Sequence, residues 1–125
     1  LIVFFSIRHE AMLKTLLITF WHMTDHNYRN KNLLRWAKRA PVCFMCHRRN
    51  DGTVVAAHSN RLIDGKGMGI KAHDYRIAFL CHDCHAYIDQ SGASREEKIK
   101  KWEVAHYDTI GWLFDVGALE VRSPE

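Results

Sequence analysis

The sequence lacks several things, and each absence removes a class of protein. It has no apolar run long enough to cross a bilayer. The richest stretch, LIVFFSIRHEAMLKTLLITFWHM at residues 1–23, is interrupted by Arg8, His9, Glu10 and Lys14. That stretch also lacks a charged region ahead of its apolar part and a small-residue cleavage site behind it, so it does not read as a secretion signal. The expectation is a helix or strand within an N-terminal extension, residues 1–26, with the working protein beginning near Met23. No internal repeat and no low-complexity tract appears. With 125 residues, 47% hydrophobic and 26% charged, the chain fits one soluble domain with a modest core, not a charge-driven disordered segment.

No phosphate-binding P-loop and no helix carrying a base-reading set of Asn, Gln and Arg is present. Nucleoside triphosphate binding and strong sequence preference on DNA are therefore not expected. What is present is an uneven charge. The formal net charge is +4, but residues 1–61 carry ten Lys/Arg against three Asp/Glu, while residues 62–125 carry eight against eleven. The N-terminal half offers a basic surface to a polyanion.

Prolines number only two, and Pro41 is expected to end a short basic helix in LLRWAKRA. VCFMCHRRNDGT places cysteines on either side of a tight turn. It continues into Asn50-Asp51-Gly52, a hairpin signal. TVVAAHSN reads as a strand, RLIDGKGMGIKAHD with three glycines as a loop, YRIAFLC as a second short apolar strand, and HDCHAYIDQSG as a helix closed at Ser91-Gly92. The last helix begins at Ser94, three residues ahead of Glu97 in capping-box spacing. Ile99, Trp102, His106, Ile110 and Leu113 follow on one face, and Gly117 stands at the expected stop. Trp102 and Trp112 are expected to be packing residues of this helix.

The four cysteines form two pairs, Cys43-x-x-Cys46 and Cys81-x-x-Cys84. Disulfides would need an oxidising compartment, and a thioredoxin-like redox motif would account for only one pair. Four thiolates in two knuckles suit a tetrahedral Zn²⁺, closed to substrate and therefore structural. His85 and Asp89 lie one turn apart on the expected helix, where imidazole and carboxylate can grip a second, divalent ion from one side. The plainer alternative is a packing histidine and a solvated aspartate. His58 ends its apolar strand, either as a core histidine or as a base, and Asp74 follows the glycine loop. A histidine base beside a metal held by His and Asp is what phosphodiester hydrolysis requires.

The combination CFMC, VVAAHSN, GKGMGIKAHD and AFLCHDCHAYID, spread over roughly residues 27–120, resembles the HNH, or ββα-metal, nucleases. In particular it looks like the small nucleases of phages and prophages related to the phage recombination-enhancement nuclease. The resemblance implies an α+β, treble-clef-like ββα core braced by zinc, with flanking N- and C-terminal helices and a short tail, residues 121–125. It implies a DNA endonuclease in a bacterial host cytoplasm, with DNA and a recombinase as partners and no membrane role. His58 holds the position of the general base, His85 that of a metal-binding histidine, and Asp89 that of a further ligand to Mg²⁺ or another divalent ion. Asp74 falls near the place of the residue that orients the base or joins the ligands. Many members carry Asp or His just before the base, whereas here that residue is Ala57, which leaves His58 as base or ligand. Arg48, Arg49, Arg61, Lys66 and Lys71 are the expected phosphate contacts. The alternative is a non-catalytic zinc-finger module that binds DNA or protein on the same fold.

Overall fold

The chain is α+β in a computed structural model that describes residues 26–125. The expectations for residues 1–25 lie outside the described residues. Among the described residues, three helices and a two-stranded sheet follow one another as α1 (Lys31–Arg35), β1 (Val55–His58), β2 (Ile77–Leu80), α2 (His82–Gln90) and α3 (Arg95–Asp115). Single turns of 3-10 helix occupy Trp36–Arg39 and Leu62–Asp64. Among the described residues, no helix is long and apolar enough to cross a membrane.

β1 and β2 pair antiparallel, with Val55 opposite Leu80 and His58 opposite Ile77. The strand period of two sets the two faces of β1. Ala57 turns into the core, where its carbonyl accepts a 3.0 Å hydrogen bond from Trp102 Nε1, while Ala56 and His58 face outward into a cleft. All four residues of β2 are buried, as a continuous apolar run requires, and α3 packs against it.

The Asn50-Asp51-Gly52 turn forms, but not as a hairpin between paired strands. Asn50 Oδ1 accepts from Gly52 N and Asp51 Oδ1 from Thr53 N, so the side chains close the bend locally. The pairing ahead of it is a single bridge, Val42 to Arg49, around the first cysteine knuckle. Past the bend, the chain leaves to pair with β2 instead.

α3 starts and stops as its sequence demands. Ser94 Oγ accepts from Glu97 N at 3.2 Å, satisfying one of the orphan donors of the first turn. Gly117, at φ +76°, closes the far end: Ala118 N donates to Leu113 O and Gly117 N to Phe114 O, a Schellman motif. Trp102, Ala105, His106, Thr109 and Leu113 form its buried face. Trp102 stacks on His106, and Trp112 packs edge-on against Trp36 and Phe79, so both tryptophans serve the core. Helix α1 is shorter than LLRWAKRA promised. It tightens to 3-10 geometry at Trp36 and stops at Ala40, ahead of Pro41.

Candidate functional site

Two knuckles meet at the start of α2. The Sγ atoms of Cys43, Cys46, Cys81 and Cys84 all lie within 4.8 Å of one another, and Cys46 and Cys81 are 3.8 Å apart. Zinc–thiolate bonds of about 2.3 Å, set tetrahedrally, put neighbouring sulfurs about 3.8 Å apart. A disulfide would need about 2.05 Å; the cysteines are free. Local structure aims the sulfurs inward. Cys81 is the N-cap of α2 but makes no side-chain cap, its sulfur being turned to the cluster. His47, at φ +62°, turns the chain out of the first knuckle. Met45 N and Arg48 Nη2 point at the sulfurs of Cys43 and Cys81, at 3.4 and 3.5 Å.

The thiols conflict electrostatically without a cation. Burial pushes the Cys81 thiol up, yet the Cys84 backbone N–H and the Arg48 guanidinium more than offset this and bring it to about 6. Burial, and then the neighbouring Cys81 sulfur, push Cys84 far above its ordinary value, and burial raises Cys46 as well. Four adjacent thiolates repel one another. A bound dication converts the same crowding into coordination. The cluster is therefore compatible with a structural zinc ion.

On the outer face of the sheet, His58, His85 and Asp89 line one cleft of about 180 Å³, together with Ala56, Ser59, Asn60, Lys66 and Lys71. Asp74 stands behind it, 2% exposed, with Oδ1 2.8 Å from His58 Nε2. Burial alone would raise the Asp74 carboxyl. The hydrogen bonds from His58 and from Asn30 N, with the charges of His58 and Arg29, outweigh burial and hold it below the ordinary carboxylate value. An ionised carboxylate can only accept. Nε2 of His58 therefore carries a proton toward Asp74, and when the ring is neutral its lone pair is on Nδ1. Such a pair fixes the orientation of the imidazole and one of its tautomers.

His85 Nε2 and Asp89 Oδ2 are 3.1 Å apart on one face of α2, 39% and 44% exposed. Two adjacent positions of an octahedral ion with bonds of about 2.1 Å are about 3 Å apart, so this pair fits one edge of such an ion. Asn60 Nδ2 donates to Asp89 Oδ1 at 3.2 Å and steadies the carboxylate. Among the described residues, only the four cysteines bring three or more donors together. His85 and Asp89 present two donors, 3.1 Å apart.

The expected phosphate contacts separate. Lys66 and Lys71 line the cleft with His58. Arg48 instead pairs with Asp83 at 2.9 Å beside the sulfur cluster. Arg49 is exposed at the bridge to Val42, and Arg61 lies 3.8 Å from Glu103 on the far side of Ser59 and Asn60.

Several site residues were not singled out in the sequence. Asn30 N and Arg29 Nη1 both donate to Asp74, at 2.7 and 3.2 Å. Asn27 Nδ2 donates to Gly65 O and Lys71 O, fastening the glycine loop from a segment some forty residues away. Gly65 has φ +92°, and a Cβ there would come within 2.9 Å of Asn27 and His73, so this loop glycine is needed for close packing. The polar run NYRN was the only signal, and polarity alone does not separate an anchor from a solvated loop.

Comparison with protein-family models, with curated proteins and with solved structures finds no match for this chain.

Proposed function

We propose that this chain is a metal-dependent endonuclease of the HNH, or ββα-metal, type, which hydrolyses DNA phosphodiester bonds with little sequence preference in phage recombination or DNA processing. The observation that carries the reading is the single cleft shared by His58, backed by Asp74, and by the His85–Asp89 pair. His58 Nδ1 takes the proton of the attacking water, and Asp74 holds the ring in the required tautomer and offsets the positive charge it acquires. His85 and Asp89 hold the divalent ion, Mg²⁺ or another. When bound, that ion supplies positive charge against the charge building on the phosphate and leaving oxygen. Lys66 and Lys71 neutralise the flanking phosphates. The treble-clef-like zinc cluster braces the strand and helix that carry the two histidines.

The test is His58→Ala. Magnesium-dependent nicking of plasmid and of single-stranded circles is expected to vanish, with one zinc per chain and the far-UV circular dichroism retained. Undiminished nicking refutes the mechanism. A second reading, a non-catalytic zinc-finger module that binds DNA or protein, is favoured by Ala57. The position before the base is buried in the core and offers no ligand. Metal titration separates the two readings, because a binding module takes one zinc and cuts no strand with magnesium.

A further inference from the structure

Beside the cleft, across Ser59 and Asn60, lies a second pocket of about 290 Å³ between α2 and the first turns of α3. Its floor is apolar, formed by Ile88, Ala93 and Ile99. Its rim carries three cations, Arg61, Arg95 and Lys98, and no acidic residue lines it. Lys98 Nζ donates to Ser91 O, closing the end of α2, which fixes that wall. Asn60 is common to both hollows and also donates to Asp89, so the pocket opens directly beside the His85–Asp89 pair.

An apolar floor under a rim of three cations, one of them Arg61 paired with Glu103 at 3.8 Å, and two neutral polar residues, Ser59 and Asn60, matches a group that is flat and weakly polar at one end and anionic at the other. A nucleotide has that form, and the volume is at the low end for a small-molecule site, about 300–1,000 Å³, enough for one nucleoside. In a duplex both faces of each base are covered by stacked neighbours and its edge is paired, so only an unpaired base can enter.

We propose that this pocket receives one unpaired base of a DNA strand whose neighbouring phosphate lies in the His58–His85 cleft, making single-stranded DNA the preferred substrate. This rests on the nuclease reading for what occupies the cleft, and the pocket is tested by binding alone.

The experiment uses the full zinc-loaded chain without added magnesium, with fluorescence anisotropy on a labelled single strand and on its duplex. A single abasic position is moved along the strand in a parallel series. The expected result is at least tenfold tighter binding to the single strand. One abasic position should weaken binding about tenfold, the others little. Ala93→Phe, which fills the floor, should remove the tenfold advantage and leave duplex affinity within twofold, with zinc content and circular dichroism checked. Equal affinity of the wild-type chain for both forms, or indifference to every abasic position, overturns the proposal without recourse to any variant. Hydrolysis of bis(p-nitrophenyl) phosphate is measured alongside, because so small a diester needs no base pocket. Its absence in the wild-type chain counts against the nuclease reading, whereas a flat abasic scan with hydrolysis intact counts against the pocket alone.

Discussion

Replacing Asp74 by Asn removes one charge and almost no volume, and the structure sets what that costs. Three donors converge on the buried carboxylate: His58 Nε2 at 2.8 Å and Arg29 Nη1 at 3.2 Å on Oδ1, and Asn30 N at 2.7 Å on Oδ2. An amide has one oxygen and one NH₂. Whichever way it is turned, a donor faces a donor, and at least one N–H loses its acceptor. A buried polar group left so costs about 1–3 kcal/mol, and bonds to a charged acceptor lie at the upper end. With Arg29 partly in solvent and discounted, the expected loss is about 2–3 kcal/mol at neutral pH. With a urea dependence of about 1–3 kcal/mol per molar, the unfolding midpoint falls by about 0.7–3 M. The pH dependence has a definite sign. The folded Asp74 carboxyl lies below its ordinary value of 3.8. Its stabilisation is therefore complete above the unfolded value and fades as pH falls through the lower folded one. The wild-type advantage over Asp74→Asn should accordingly shrink below about pH 4. Urea melts of both proteins from pH 7 down to pH 3 measure this, and a nicking assay should show a loss of about a hundredfold or more from the disturbed tautomer. A variant as stable as wild type at pH 7, or a gap that stays constant to pH 3, refutes the reasoning.

Three further outcomes follow from other parts of the molecule. Stripping the metal with a strong chelator, or making Cys84→Ser, should abolish cooperative thermal unfolding, because a thiolate zinc site contributes about 10–16 kcal/mol and a small domain has only about 5–15 in total. An unchanged melt after chelation would remove the zinc reading. Thr109→Val should cost about 1–3 kcal/mol in a urea melt, because Thr109 Oγ1 is the acceptor for the buried Phe79 N at 3.0 Å, and Thr109→Ser should restore most of it. Ser94→Ala should lower stability by about 1 kcal/mol, read in the same way, through the lost cap on Glu97 N.

The local chemistry of the chain was legible residue by residue. Doubled Cys-x-x-Cys spacing announces a cluster of four sulfurs because each knuckle can present two without help from the rest of the fold, and in the structure the four lie within 4.8 Å of one another. Ser94, Gly117 and the apolar face between them define α3 because caps and helical period act over a few residues. The i, i+4 spacing of His85 and Asp89 puts them side by side on any helix, and in the structure they are 3.1 Å apart. The hairpin expected at Asn50-Asp51-Gly52 failed for the complementary reason: a turn signal says where the chain bends and nothing about which strand it will then meet.

Long-range placement belongs to the tertiary structure. The pairing of β1 with β2 decides that His58 faces the cleft and Ala57 the core, a matter of register that a single-residue slip would reverse. Burial of Asp74 against His58, and its fastening by Arg29 and Asn30 ahead of α1, depend on contacts spanning sixteen and more than forty residues. Arg48 and Lys71 looked alike as basic residues near glycine and cysteine turns. Packing sent one to Asp83 at the sulfur cluster and the other to the cleft. Composition and spacing are short-range properties and so determine elements and the pairing of cysteines within each knuckle. Which charged groups share a hollow is settled only when distant segments are brought together, because electrostatic partners depend on distance in space and not along the chain.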